Sequence, residues 1–353
     1  MPRIAYFVHG RGRGHGVRTR AVLRRLPQRH ELRLYCAGSA YELLEAHTAS
    51  EEVTLCAPGR GMTGTFARRF AADRLRLQAF EPDLVVSDGD GPSVNAAWSL
   101  GVPVLAIGHG LVFRHTRLRL PLPWFGRLRE AVNSASSSWP ASRRAVVHFA
   151  PVEPATAGTV VVRPDLELEP KAPEKRDDFI LAYFRDNDGA EALGRLAARG
   201  HRVVWFGRRA RAPRGVEVQA PDVDAFREAL GRCRAVVGSA GNQLPAECAM
   251  LGLPLLALHR EGDVEHAMNA QLIEDAGIGI GARFSELGAP LLRRFEADLD
   301  RDRSPIAKRT LSMRPVSDAI PEMVDELCGP AVGTLPLGRR APTPVSRARD
   351  RTL

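Results

Sequence analysis

Lysine is almost missing from this chain: Lys171, Lys175 and Lys308 are its only three in 353 residues. The formal net charge of +9 therefore rests on arginine. A basic surplus first suggests a nucleic-acid partner. Arginine dominance beside so much alanine, glycine and proline fits biased coding better than a selected basic face. Part of the surplus also sits in a terminal stretch, where Arg339, Arg340, Arg347, Arg349 and Arg351 face Asp350 alone. Nucleic acid is therefore not expected as a partner. Cysteine offers no framework either. Cys36, Cys56, Cys233, Cys248 and Cys328 are odd in number and lack Cys-x-x-Cys spacing, which argues for reduced thiols, a cytoplasmic setting and no structural zinc. No apolar run approaches the ~20 residues of a membrane span. Before the first strand there is no charged segment with a cleavage site. A P-loop is excluded, because Gly-Lys-Ser/Thr never occurs.

What is present is a soluble composition, with 44% apolar and 26% charged residues, and a length that suggests two domains. Ile4–Val8, Leu32–Cys36, Val53–Cys56, Asp83–Ser87 and Val102–Ile107 read as strands. Thr19–Leu26, Ala40–His47, Arg68–Phe80 and Pro92–Leu100 read as the helices between them. This alternation predicts a parallel sheet covered on both faces. Between 108 and 138 the rhythm breaks, and Arg114, Arg117 and Arg119 interleave with Leu118, Leu120, Trp124 and Phe125. That segment suits a flap over an acceptor, a membrane-surface contact or a solvated helix. Val146–Phe149 and Val160–Val162 close the first half. Residues 163–178, rich in Pro, Glu and Lys, read as a linker. Strands and helices then resume from Phe179, ending in helices at Leu287–Asp300 and Val316–Leu327. The expected organisation is an α/β pair of doubly wound domains, 1–162 and 179–328, facing each other across a cleft, with a disordered basic tail at 329–353.

One stretch organises the second half. Ala235–Val237 ends a buried strand, Gly238–Gly241 is a turn of small residues, and Asn242 is placed to cap a helix in which Pro245 falls in the first turn. Gly252 ends that helix, Pro254 prevents its return, and Leu255–Leu258 is the next strand. A strand, a tight turn and a helix N-terminus form an anion site, with phosphate the obvious ligand. Glu247, six residues after Gly241, can reach past a phosphate to a ribose. Asp263–Ala270 is a polar loop entering a further helix.

Taken as one ordered set, Gly241, Glu247, Gly252-Leu253-Pro254, Glu265-His266 and Asn269-Ala270 resemble the donor-sugar region of GT-B glycosyltransferases. The likeness extends to the bacterial transferases that add N-acetylglucosamine in lipid II synthesis and to the UDP-glycosyltransferases. The resemblance implies a Rossmann-like pair of domains, acceptor side first. It implies that Ser239, Gly241, Asn242 and Gln243 hold the diphosphate, that Glu247 binds the ribose, and that Glu265, His266 and Asn269 meet the donor sugar. Glu265-His266 departs from the Asp-Gln or Gln-Gln usual in those families. Arg185, at the end of the first strand of the second half, stands where such enzymes touch the diphosphate. Retaining enzymes of this kind carry a Glu eight residues before the ribose Glu; here that position is Ser239, so inversion is favoured.

The first strand runs into His9-Gly10-Arg11-Gly12-Arg13-Gly14-His15-Gly16. A dinucleotide fingerprint would need Gly-x-Gly-x-x-Gly and an acidic residue ending the second strand; neither is found, so NAD is disfavoured. Arg11, Arg13 and Arg18 suggest a nearby anion. In the resembled families a Gly-Gly-His-like loop follows strand one, and His15 fits its histidine, a general base oriented by an Asp. Asp88 is the first choice for that Asp and Asp90 the second. Gly14, His109 and Trp124 are the acceptor-side candidates. The expected activity is sugar transfer from a UDP- or dTDP-sugar to a hydroxyl of a small or lipid-linked acceptor. It needs neither metal nor cofactor, in a protein of the cytoplasm or the inner membrane face. A nucleotide-sugar 2-epimerase and a non-catalytic nucleotide-sugar binder are the alternatives.

Overall fold

The structure is a computed structural model that describes residues 1–329 except 12, 27, 29, 48, 58, 60, 119, 121–123, 166–175, 185–187 and 208–211. The expected tail thus lies, from residue 330, outside the described residues, as do Arg185 and most of the linker.

Seven strands form the first sheet: β1 (Arg3–Val8), β2 (Glu31–Cys36), β3 (Ser50–Glu52), β4 (Leu84–Asp88), β5 (Val104–Gly108), β6 (Arg143–Val147) and β7 (Thr159–Val162). All pair parallel, in the order β3-β2-β1-β4-β5-β6-β7. Six form the second: β8 (Ile180–Tyr183), β9 (Val203–Phe206), β10 (Val216–Gln219), β11 (Ala235–Ser239), β12 (Leu255–His259) and β13 (Gly279–Arg283). Their order is β10-β9-β8-β11-β12-β13, again parallel. Strands β4, β5 and β9 are buried along their whole length, as sheets sandwiched between helices require. In each sheet the chain winds outward, then returns to the other side of its first strand. Crevices therefore open at the carboxyl ends of β1 and β4, and of β8 and β11, the places where doubly wound sheets bind ligands.

Helices α1 (Arg13–Arg25), α2 (Gly38–Leu44), α3 (Met62–Phe80), α4 (Gly91–Ser99), α5 (Val112–His115) and α6 (Trp124–Ala135) belong to the first half. The second contains α7 (Ala190–Ala198), α8 (Val223–Arg232), α9 (Gln243–Leu251), α10 (Val264–Asp275), α11 (Ala289–Asp298) and α12 (Ser304–Leu311), before a last helix α13 (Val316–Cys328). That last helix departs from the sequence expectation, which grouped it with the second domain. Val316, Ala319, Ile320 and Val324 pack into the core of the first sheet beside Ile4 and Tyr6. The chain crosses back where Arg163 pairs with Pro315, and Ser317 donates to the Asp165 carboxylate through both its N–H (3.0 Å) and its hydroxyl (2.6 Å).

Other boundaries shift for local reasons. The expected strand Val53–Cys56 is replaced by Ser50–Glu52, which aligns with Leu34–Cys36, while Val53 only adds one bond to Cys36. The glycine-rich stretch after β1 does not remain a loop: α1 starts at Arg13, six residues before the expected Thr19. Gly16 belongs to that helix because α2 is so close; a Cβ on Gly16 would lie 3.0 Å from Leu43 Cδ2 and 3.3 Å from Ala40 Cα. Helix α3 likewise begins at Met62, not Arg68.

Candidate active site

The crevice of the first sheet holds a buried ion pair shared by three side chains. Asp88 ends β4 beside Val8, the last residue of β1, and is wholly buried. His15, in the first turn of α1, brings Nδ1 to 2.7 Å from Asp88 Oδ1. Arg18, one turn later, closes a fork: Nε donates to Asp88 Oδ2 at 2.8 Å and Nη2 donates to Oδ1. Burial alone pushes the Asp88 carboxyl up, but the Arg18 charge, then His15 and the hydrogen bonds, outweigh it and hold the group well below the usual carboxylate range. An ionised Asp88 can only accept. His15 Nδ1 therefore donates and Nε2 is left as an acceptor, on a side chain that keeps 25% of its surface exposed. Gly89, at φ +72°, turns the chain behind the ring; a Cβ there would stand 2.9 Å from His15 Cε1. His9 lies edge-on to His15, ring centroids 5.4 Å apart, and burial followed by the charge of His15 pushes its pKa down to about 4. Asp90, the second choice for orienting His15, does other work: it caps α4 through Ser93 N–H and receives Arg69.

In the second sheet the turn Ala240-Gly241-Asn242 links β11 to α9, and Gly252 ends that helix at φ +65°. Nothing lies within 4 Å of where a Cβ on Gly241 would stand, so space opens in front of the turn. Glu247 faces Gln243, whose Nε2 donates to its Oε1 at 3.0 Å and to Asp165 O at 3.1 Å. Although part of its side chain meets solvent, desolvation pushes Glu247 up to about 7, against smaller opposing effects of Gln243 and Arg227. Ser239 is half-buried at the strand end and lines a narrow recess with Asp188, Arg260, His266 and Phe284.

Several of the residues assigned to the donor make protein contacts of their own. Both amide hydrogens of Gln243 are committed to protein oxygens, so its amide nitrogen orients Glu247. Asn242 forms no cap; its Nδ2 donates to Val147 O (3.0 Å) and its Oδ1 accepts from Phe149 N–H (3.2 Å), joining the two halves of the molecule. Asn269 is fully buried, with Nδ2 on Ala240 O (2.9 Å) and Gly241 O (3.2 Å); it props the turn from behind. His266 is buried, with Nδ1 3.3 Å from Asp263 Oδ2, the carboxylate that caps α10. Glu265 stays accessible and lies 3.6 Å from His109 Nε2.

His109 sits in the seam between the halves. It stacks on His148 (centroids 5.1 Å), and Val147 O lies 3.2 Å from its Nδ1. Burial, with smaller effects of Arg18, His266 and His15, pushes its pKa down to about 4, so it is neutral. Across the seam, Asn269 Nδ2 lies 3.4 Å from its Nε2, so residues of both halves meet at this ring. Gly14 is exposed with free space around it, and Trp124 is 75% exposed at the start of α6. Helix α6 reaches across the seam, because Gly126 lets Val264 approach closely and Arg129 donates to Gly262 O. In sequence Arg18 marks only a nearby anion; its place one turn after His15 is the signal that joins it to the pair. Among the described residues no group of His, Cys, Asp and Glu has the makings of a metal site.

The family model described as Glycosyl transferase family 1 matches residues 50–299. No curated protein matches the sequence. Among solved structures, MurG of Acinetobacter baumannii superposes with a TM-score of 0.67 at 18% identity, covering 92% of this chain and 99% of that one. SnogD, a glycosyltransferase of Streptomyces nogalater, gives 0.64 at 19% identity, with 93% and 100% covered. The glycosyltransferase VinC, solved in complex with dTDP, gives 0.58 at 14% identity, with 92% and 99% covered. At these identities the likeness is one of fold, the two-domain GT-B architecture.

Proposed function

Because the chain belongs to glycosyl transferase family 1 and is a glycosyltransferase, we propose that it moves a sugar from a UDP- or dTDP-linked donor to an acceptor hydroxyl, with His15 as general base. The observation that carries this reading is the 2.7 Å contact between His15 Nδ1 and a buried, ionised Asp88 at the crevice of the first sheet. The acceptor O–H gives its proton to His15 Nε2 while its oxygen bonds to the anomeric carbon. The bond from that carbon to the phosphate oxygen breaks, and the nucleoside diphosphate leaves with the electron pair. Attack opposite the leaving group inverts the anomeric centre. Asp88 holds the ring and offsets the positive charge it acquires, help typically worth about 10²–10⁴-fold in rate.

The donor lies, in this reading, across the second crevice. Its diphosphate rests against the turn at Gly241 and the N-terminus of α9, where the helix dipole favours negative charge, and no metal is invoked. Glu247 accepts from the ribose hydroxyls. VinC, with its dTDP, supports a nucleoside diphosphate there. On the acceptor side α6 carries an apolar ridge: Trp124, Leu128 and Val132 follow one another at four-residue spacing, 51–75% exposed. That ridge suits an acceptor with an apolar or lipid part, and a peripheral contact with a membrane.

Incubation with UDP- and dTDP-hexoses and their N-acetyl derivatives, with and without phenolic, sugar and polyprenol-phosphate-linked acceptors, tests the reading. Acceptor-dependent release of nucleoside diphosphate is the expected outcome. Epimerised donor without release, or binding without turnover, would replace this proposal by one of its rivals.

A further inference from the structure

The geometry points to Arg18 as a positioning residue that fixes the Asp88 carboxylate so that Oδ1 faces His15 Nδ1. This inference rests on the role proposed above for His15. An aspartate that touched His15 alone could rotate about its last side-chain bond and present either oxygen. Here Arg18 Nε takes Oδ2 at 2.8 Å and Nη2 takes Oδ1, so the plane of the carboxylate is set by a two-point fork. The fork is itself held, since Arg18 is 9% exposed and is carried on the same helical face as His15, three residues away. Nη2 also lies 3.1 Å from His15 Nδ1, so base, carboxylate and guanidinium form one closed cluster. Arginine is required for its shape: a lysine ammonium would keep the charge but could not grip both oxygens in one plane. Arg18 thus acts through Asp88 on His15.

The test separates this role from a plain buried ion pair. Arg18→Lys should keep donor KM within about twofold and lower kcat about tenfold to a hundredfold, the scale on which small misplacements of catalytic groups act. In the His15→Ala background the same substitution should change the residual kcat by less than about twofold, because groups that act as a unit are not additive. A second readout needs no turnover. Nitrogen NMR of histidine-labelled protein, with the His15 signals assigned by their loss in His15→Ala, should show Nδ1 protonated in the parent and a mixture of tautomers in Arg18→Lys. Should Arg18→Lys fail to fold, Arg18→Gln is measured in the same way. An unchanged kcat and tautomer in a folded variant would overturn the positioning role, as would a second full loss of kcat in the His15→Ala background. Failure of the base assignment looks different: His15→Ala itself would then retain turnover.

Discussion

Glu247 gives the account its most quantitative consequence. The carboxyl is pushed up to about 7 by desolvation, so the form that can accept from ribose hydroxyls becomes dominant only above neutrality. At pH 6 about one tenth of the protein carries the carboxylate and at pH 8 about nine tenths, which is a roughly tenfold change, or about 1.4 kcal/mol. That is close to the lower end of the loss expected on removing hydrogen bonds to a charged group, about 1.5–3 kcal/mol. Donor affinity should therefore tighten about tenfold from pH 6 to pH 8. Calorimetry with an intact nucleotide sugar is the right assay, because its diphosphate is a diester and does not titrate in this window. Glu247→Gln should bind weakly at every pH and lose the slope. Stability of the ligand-free protein should move the other way. With the folded pKa above the unfolded one, the contribution is complete below the unfolded value and is lost as pH rises through about 7. A flat affinity profile in the parent, or the same tenfold slope in Glu247→Gln, would refute the ribose assignment.

Two further substitutions probe the frame around the site. Asp88→Ala leaves Arg18 buried without its partner and should cost about 3–5 kcal/mol in a denaturant titration, whereas Asp88→Asn, which keeps an acceptor and the shape, should cost clearly less. Asn242→Ala removes both bonds that join the donor turn to Val147 and Phe149; it should lower stability by about 1–3 kcal/mol and increase the radius of gyration in X-ray scattering.

Much of the architecture was legible because it follows from local patterns. Short continuous apolar runs such as Leu84–Val86 and Leu255–Leu258, flanked by turn residues, read as strands covered on both faces, and Gly252 stops α9 where its residue type allows a left-handed turn. The proximity of His15 and Asp88, 73 residues apart, was readable only through the family resemblance, since no local pattern links the ends of β1 and β4. What stayed hidden depends on tertiary context. Asn242 has the composition of a cap, yet the backbone of β6 offers it better partners across the seam. Helix α13 follows the second domain in the chain, but its apolar face fits the first sheet. The start of α1 was masked by glycines, which disfavour a helix; at Gly16 the close approach of α2 accounts for the residue.

The central claim is that His15 takes the acceptor proton, and one measurement addresses it directly. With a donor and acceptor that the parent enzyme turns over, kcat and donor dissociation constant are compared for His15→Ala and the parent. The account predicts a fall in kcat of at least about a hundredfold with donor affinity kept within a few-fold. A His15→Ala enzyme that keeps most of its turnover would place the base elsewhere and contradict it.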